Sequence, residues 1–195
     1  MKGPDESEIL SLLAEHGAVV DGHFVLPSGL HSRTYVELAV VLQYPHIAQK
    51  LAKMLVSKFP QEVDVVVSPA MGGVLLGQEV ARVKKCRAIF TERVGAAQGF
   101  RREFKLSRGE RVLIVEDVIT TGHSTSQLAS LADVYGAKVV GVAAVLDRST
   151  SPLPLRVPIR TLAIYPAEVV PADGCPQCKA RVPLTKPSKG GEETL

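Results

Sequence analysis

The chain has 195 residues, of which 46% are hydrophobic and 22% are charged, proportions typical of a globular protein and not of a disordered one. The formal net charge of +3 is too small to indicate nucleic-acid binding, and the sequence contains no apolar run long enough to span a bilayer. We therefore expect no nucleic-acid partner and no membrane partner. The acidic start (MKGPDESEIL) lacks the layout of a signal peptide, so we expect a cytoplasmic protein.

The first half of the chain contains two predicted helices with turn-rich sequence between them. Apolar periodicity predicts a helix over 7–16, with Ser7 as its N-cap and Gly17 as its terminator. Glycine and proline punctuate residues 22–38, which indicates short strands and turns. A second amphipathic helix is predicted over 46–59, opened by Pro45.

From residue 63 onward, apolar strands alternate with helices. Strands are predicted at 63–67, 87–91, 112–115, 138–146 and 161–164, helices at 74–84 and 124–135, and a basic loop from 92 to about 109. Continuous apolar runs separated by helices indicate a parallel sheet covered on both faces, so we predict an α/β fold. Ligands of such sheets bind at the carboxyl ends of the strands. We predict a single domain over 1–170 and a tail over 171–195, the last dozen residues of which are loose.

The three cysteines are too few for a disulfide framework. Cys86 is expected to be a small buried apolar residue. Cys175 and Cys178 form one Cys-x-x-Cys pair, whereas tetrahedral zinc needs four ligands. Because the sequence shows no second pair and no nearby histidine, we predict two reduced thiols in a turn. A half-site completed across a dimer is the alternative.

The segment 112–125 (VLIVEDVITTGHST) carries the most informative pattern. A buried strand delivers Glu116 and Asp117 to its carboxyl end, and a hydroxyl-rich turn follows before a helix. Amides at a helix N-terminus, helped by hydroxyls and an unhindered Gly122, can bind a phosphate, and carboxylates can accept hydrogen bonds from ribose hydroxyls. The turn has no lysine, which excludes a GxxxxGK loop. Helix-terminal charges beside an ordinary turn are the alternative, but the pattern favours a sugar-phosphate site.

This segment resembles the motif with which type I phosphoribosyltransferases bind phosphoribosyl pyrophosphate (PRPP). The resemblance implies their fold, a twisted and mainly parallel sheet with helices on both faces plus a small base-binding hood, here from about 17–40 and the C-terminal segment. It also implies that the two acids hold the ribose hydroxyls and that the turn binds the 5′-phosphate. The PRPP-binding residues implied here are Glu116, Asp117, Val118, Ile119, Thr120, Thr121, Gly122, His123 and Ser124.

Two other segments are similar to orotate phosphoribosyltransferases: residues 22–32 (GHFVLPSGLHS) and the pair Asp147-Arg148. Orotate carries a carboxylate, which suits the forked donors of arginine. The resemblance therefore implies Thr120, Arg148 and Ser28 as orotate contacts. A surface arginine and ordinary turn capping are the alternatives. We assign a catalytic role to no histidine.

The resemblance extends to two loops. Residues 68–73 (SPAMGG) resemble the pyrophosphate loop of the family, which implies PRPP contacts from Met71, Gly72 and Gly73, although a plain glycine-rich turn is the alternative. Residues 93–108 fall where the family carries a mobile loop that reaches the active site of the neighbouring subunit. This implies a homodimer, and a PRPP-binding and catalytic role for Arg93 beside Glu116 and Asp117. The implied cofactor is Mg²⁺, bound through PRPP without a direct protein ligand.

The resemblance thus predicts a Mg²⁺-dependent glycosyltransferase of pyrimidine biosynthesis that converts orotate and PRPP to orotidine 5′-phosphate and pyrophosphate. The chain departs from the family in having Pro27 where several members have a lysine, and Met71-Gly72 where they have Tyr-Lys. It also shows no clear equivalents of their loop lysine and histidine. Two alternatives stay open: a phosphoribosyltransferase for another nucleobase, and a non-catalytic regulator that senses PRPP.

Overall fold

The chain is described by a computed structural model over residues 5–26, 28–188 and 191–194. In chain order its elements are α1 (Glu6–Glu15), β1 (Val19–Val25), β2 (His31–Val36), α2 (Ala39–Leu42), α3 (Pro45–Ser57), β3 (Val65–Pro69), α4 (Gly72–Lys84), β4 (Arg87–Val94), β5 (Ala97–Phe100), β6 (Arg111–Ile119), α5 (His123–Val134), β7 (Lys138–Asp147), β8 (Ile159–Ile164), β9 (Val169–Val170), a 3₁₀ turn (Ala172–Gly174), α6 (Pro176–Lys179), β10 (Thr185–Ser188) and β11 (Gly191–Thr194). Within these described ranges, every helix is too short or too polar to cross a bilayer.

A six-stranded sheet forms the centre of the molecule, with strand order β5-β4-β3-β6-β7-β8. Strands β4, β3, β6, β7 and β8 are parallel to their neighbours, and β5 returns antiparallel to β4. The predicted α/β fold with a mainly parallel sheet is confirmed.

Helices cover both faces of this sheet, which explains why its central strands carry continuous apolar runs. In β3, Val66 packs in the same cluster as Leu51 of α3 and Leu76 of α4. Its neighbours Val65 and Val67 face the other way, into a cluster that contains Leu128 of α5. Each residue of the strand is buried because successive side chains point to opposite, equally covered faces.

Several element ends differ from the predicted ones. Helix α1 is capped by Asp5 and not by Ser7. Strand β6 continues four residues beyond the predicted end, because its ladder with β7 runs on through Glu116, Val118 and Ile119. The acids therefore belong to the strand itself. The predicted basic loop contains β5, whose Gln98 pairs with Arg93 of β4.

A second sheet, the hood sheet, has the order β11-β10-β1-β2-β9. Its core is the antiparallel hairpin of β1 and β2, and the C-terminal segment adds β9 on one side and β10 and β11 on the other. Strand β9 pairs with β2, and β10 runs parallel to β1 with Thr185 opposite Phe24. The segment after residue 170, predicted as a tail, thus supplies β10 and β11. The free edges of the hairpin offer unpaired backbone groups, and the returning chain covers them.

Candidate active site

The carboxyl ends of β6 and β7 bring the main predicted site residues together. Residues Ile119 and Asp147 are paired at the end of the ladder, and the Arg148 amide donates to the Ile119 carbonyl at 2.8 Å. Thr120 and Arg148 therefore emerge side by side at this edge. Glu116 and Asp117 lie just before Ile119 in β6. Two acids, the threonine hydroxyl and a guanidinium therefore share one end of the sheet.

Glu116 is buried, with 6% of its surface exposed. Its Oε1 accepts a hydrogen bond from the Thr125 hydroxyl at 2.5 Å, which ties the acid to the first turn of α5. Burial raises the pKa of Glu116 to about 7, and repulsion from Asp117 acts in the same direction, against the lowering effect of Thr125. A negative charge on this buried carboxyl is therefore costly.

We expect Glu116→Gln to remove a pH-dependent loss of stability. The folded-state pKa of about 7 lies above the ordinary value of 4.5, so the folded protein holds a proton that the unfolded chain has released. Wild-type stability should then fall as the pH rises through that window. Between pH 4.5 and 8, the free energy of unfolding of the variant should rise relative to that of the wild type by up to about 3 kcal/mol. Urea denaturation of both proteins at pH 4.5 and 8 measures this, and a pH-independent difference would contradict it.

Asp117 faces the glycine loop on one side and the hood sheet on the other. Burial raises the pKa of Asp117, and the charge of Glu37, directly after β2, raises it further. A side chain at Gly72 would lie 2.2 Å from Asp117 Oδ2. Only glycine therefore allows the start of α4 to approach this carboxylate so closely.

The turn between β6 and α5 has the shape of an anion cradle. Gly122 adopts the left-handed conformation at φ +70°, directly before the first residue of the twelve-residue helix α5. Leu153 packs below it, 2.8 Å from where a side-chain carbon would lie. Thr120, Thr121 and His123 are exposed around the turn. Amides in the first helical turn have no acceptor within the helix, so they are available to a phosphate.

Met71, Gly72 and Gly73 form the start of α4 beside this cradle. Met71 is 84% exposed, and its preceding peptide bond is cis. A side chain at Gly73 would lie 2.8 Å from the Val115 carbonyl, so this residue packs directly on β6. The predicted pyrophosphate loop thus lies against the strand that carries the two acids.

Arg148 is a buried cation without a carboxylate partner in the described part of the chain. Its side chain is 6% exposed, and its Nη2 donates to the Thr34 hydroxyl at 2.9 Å. The guanidinium lies 5.6 Å from the ring centre of Tyr165, whereas its buried Nε has no hydrogen-bond partner. Burial lowers the pKa of Arg148. A buried, incompletely bonded guanidinium is costly unless an anion joins it.

The basic segment is a hairpin folded against the domain. Gly95 makes the turn between β4 and β5, and Gln127 of α5 donates to the Ala96 carbonyl at 3.1 Å. Arg102 pairs with Glu92 at 2.8 Å. Arg93 is exposed and forms no ion pair with any residue that the structure describes. The structure therefore leaves Arg93 available for an external anion and does not bring it into contact with the acidic pair.

Ser28 shows only a local contact. It lies in the hood turn, where its hydroxyl accepts from the Leu30 amide at 3.4 Å. Pro27, where the sequence departs from the family, lies outside the described residues.

Sequence reasoning missed the hood residues that face the site, namely Thr34, Tyr35 and Glu37. The Thr34 hydroxyl accepts a hydrogen bond from Arg148. Burial and the charge of Glu37 raise the pKa of Tyr35, and the charge of Asp117 adds a smaller effect in the same direction. The polar run after His31 is a signal, but its partners Asp117 and Arg148 lie far along the chain, Arg148 being 114 residues after Thr34.

The expectation that no histidine lies near Cys175 and Cys178 is wrong. His23 and His31 come from the hood hairpin, and one ligand atom from each of the four residues lies within 4.8 Å of the others. The chain fold brings these residues together although the two cysteines lie more than 140 residues after the histidines.

Comparisons with known proteins show the family of this chain. The model of the phosphoribosyl transferase domain matches residues 40–169. The chain is 41% identical over 179 residues to the orotate phosphoribosyltransferase of Caldicellulosiruptor bescii, covering 91% of this chain and 94% of the relative. It is 40% identical over 187 residues to that of Thermotoga maritima, covering 94% and 98%.

Solved structures show the same fold. A crystal structure of orotate phosphoribosyltransferase from Aeropyrum pernix has a TM-score of 0.69 at 21% identity, with coverage of 80% of this chain and 93% of that one. Adenine phosphoribosyltransferase from Rhodothermus marinus reaches 0.63 at 22% identity, with coverage of 82% and 99%. Since the fold is shared by enzymes named for different bases, the base must be argued from the sequence relatives and the site.

Proposed function

The chain belongs to the phosphoribosyltransferase family and acts as an orotate phosphoribosyltransferase, and from this premise we propose how its residues divide the work. The reaction joins orotate to PRPP and yields orotidine 5′-phosphate and pyrophosphate, a step of pyrimidine biosynthesis. The bond from ribose C1 to pyrophosphate breaks as the bond from C1 to the base nitrogen forms. Such a transfer depends mainly on holding both reactants in line and on neutralising the leaving group.

The buried guanidinium of Arg148 is the observation that supports orotate as the base. It lies beside Thr120, keeps an unpartnered Nε and has no carboxylate partner in the described ranges. The orotate carboxylate would supply the missing anion and accept the forked donors. The Thr34 hydroxyl already orients one arm of the guanidinium, so little reorganisation is needed. Ser28 is our third proposed orotate contact, from the hood turn.

For PRPP, we propose that the 5′-phosphate binds the turn of residues 120–124 and that Glu116 and Asp117 accept hydrogen bonds from the ribose hydroxyls. The link from Glu116 to Thr125 fixes the spacing between acid and cradle. Val118 and Ile119 join these two parts of the site. The loop of Met71, Gly72 and Gly73 packs on the same strand end, which supports a role in holding the pyrophosphate. Both carboxylates also lie where positive charge grows on the ribose.

We propose Mg²⁺ as the cofactor, carried into the site by PRPP. Besides burial, the charge of Asp117 raises the pKa of Glu116, and the charge of Glu37 raises the pKa of Asp117, so these three carboxyl groups lie near one another. Such oxygen donors fit a hydrated Mg²⁺. The ion would be held by substrate oxygens and water, with Asp117 and Glu37 accepting hydrogen bonds from its waters and no direct protein ligand. When bound, Mg²⁺ neutralises charge on the leaving pyrophosphate.

Arg93 is our proposed cation for the leaving pyrophosphate, and we propose that it acts across a homodimer. Its exposure and its lack of an ion-pair partner in the described ranges support an external anionic target. The hairpin over 93–108 would then reach the active site of a neighbouring subunit. We also propose a cytoplasmic location. The three cysteines form no disulfide with one another, which fits a reducing compartment.

One assay separates this function from the two alternatives. Orotate absorbance, followed on addition of PRPP and Mg²⁺, should decrease, with one pyrophosphate released per orotate consumed. Adenine, hypoxanthine and uracil should give no product, since they lack a carboxylate for Arg148. Turnover with one of these bases in place of orotate would favour a different phosphoribosyltransferase. PRPP binding without pyrophosphate release from any base would favour a regulator.

A further inference from the structure

A second cluster of polar side chains lies in the hood sheet, at the end remote from the acidic pair. His23 on β1, His31 on β2, Cys175 and Cys178 each present one ligand atom, and these four atoms lie within 4.8 Å of one another. We propose that these four residues bind one structural zinc ion. The argument uses none of the residues assigned to orotate or PRPP, so it stands independently of the proposed function.

The spacing of the ligand atoms fits a single tetrahedral centre. His23 Nε2 lies 3.0 Å from His31 Nδ1, 3.4 Å from Cys175 Sγ and 3.6 Å from Cys178 Sγ. Cys178 Sγ lies 3.3 Å from His31 Nδ1. With bonds of about 2.3 Å to sulfur and about 2.0 Å to nitrogen, tetrahedral zinc holds its ligand atoms about 3.3–3.8 Å apart.

Hydrogen bonds alone do not account for this arrangement. A ring nitrogen offers either one proton or one lone pair, so His23 Nε2 cannot bond to three neighbours at once. A shared ion at the centre satisfies all four atoms together. The distances therefore favour a metal over a set of separate hydrogen bonds.

The tautomer of His23 is fixed in the orientation that a metal requires. Its Nδ1 lies 2.9 Å from the Val182 carbonyl oxygen. Because a carbonyl only accepts, the proton must be on Nδ1, and the lone pair on Nε2 then points at the other three ligands. In zinc sites, a ligating histidine commonly donates its other ring N–H to a backbone carbonyl in this way.

The chemistry of the donors selects zinc. Two sulfurs and two imidazole nitrogens in tetrahedral arrangement are a common structural zinc set, and soft thiolates disfavour Mg²⁺ or Ca²⁺. Two thiolates balance the double charge of the ion, so the buried centre is neutral. His23, His31 and Cys175 are buried, and solvent reaches Cys178. All four positions are filled by protein, which indicates a structural and not a catalytic ion.

Such an ion would stabilise the hood hairpin, because strands β1 and β2 bury few apolar side chains. Of the four buried side chains on β1 and β2, only Phe24 is apolar, the others being His23, His31 and Ser32. Cys175 is the N-cap of α6 and Cys178 lies within this helix. The same helix contacts the hairpin through Gln177, whose side-chain amide donates to the Gly22 carbonyl at 2.8 Å. The zinc ion would clamp the C-terminal segment to the hairpin and so stabilise the part of the hood sheet that carries Thr34.

The metal content of untagged protein, purified without chelator, tests the proposal. Mass spectrometry of the metals should find about one zinc per chain in the wild type. The double variant Cys175→Ser/Cys178→Ser should bind less than about a tenth of this and melt about 5 °C lower or more. Cys86→Ser is the matched control, since Cys86 lies outside the cluster, and it should retain the zinc. Unchanged zinc in the double variant would overturn the site.

A spectroscopic measurement on the wild type keeps the test independent of whether the double variant folds. Protein loaded with Co²⁺ in place of zinc should show the intense ligand-field bands of a tetrahedral ion and charge-transfer bands from thiolate to metal. Weak octahedral bands without thiolate charge transfer would overturn the proposal. So would wild-type protein that remains free of zinc after incubation with the ion, since the cluster would then be a hydrogen-bonded group of reduced thiols and imidazoles.

Discussion

Arg148→Ala should lower kcat/KM for orotate by about 100-fold or more, because removing one partner of a buried charge pair costs about 2–5 kcal/mol. The affinity for PRPP should change by less than about threefold, since the contacts that we propose for its diol and phosphate lie on β6 and its turn. In the unliganded protein the guanidinium is a buried cation without a carboxylate partner in the described ranges. Its loss should therefore reduce stability little, although the hydrogen bond to Thr34 disappears.

Steady-state kinetics with each substrate varied in turn, together with thermal melts, measures these effects. Arg160→Ala is the matched control, because Arg160 is an exposed arginine on β8 and its loss should leave kcat/KM within about twofold. Near wild-type orotate kinetics in the Arg148→Ala enzyme would contradict the assignment of the base site.

Asp117→Asn should lower kcat/KM for PRPP by about 100-fold or more. The change preserves the shape of a side chain that nearly touches Gly72, but it replaces an anionic acceptor by an amide with two donor hydrogens. It also removes a negative charge from the proposed position of the ribose, which becomes positive in the reaction, and losing one such electrostatic contact costs about 100- to 1000-fold in rate.

Stability should move in the opposite direction. Burial raises the pKa of Asp117, which means that its charged form is disfavoured in the folded protein, so Asn at this position should raise the melting temperature at neutral pH. Asp133→Asn, on an exposed position of α5, should change neither kinetics nor melting. A variant that loses activity because it unfolds, or one that retains PRPP turnover, would contradict the proposed role of Asp117.

The structural features that could be predicted from sequence are those formed by residues in one continuous segment. Strand, acids, turn and helix follow one another within residues 112–125, so their order alone brings Glu116, Asp117 and the turn to one edge. The buried strands could likewise be predicted, because a run such as Val65, Val66 and Val67 is apolar on both faces only when both are covered. The structure confirms the predicted sheet on this basis.

Contacts between distant segments could not be predicted in this way. Thr34 lies 114 residues before Arg148, and His23 lies 152 residues before Cys175, separations for which a single sequence carries no spacing rule. Strand β10 is a further example, since its sequence TKPS lacks any alternating pattern. It forms a strand because β1 leaves an edge to which it can pair.

A crystal structure with PRPP and Mg²⁺ bound tests the central claim most directly. The account predicts the phosphate on ribose C5 within about 3 Å of the amides between Thr121 and Ser124, and both ribose hydroxyls directed at the side chains of Glu116 and Asp117. A phosphorylated ribose bound at another place, with these amides in contact with water only, would contradict it.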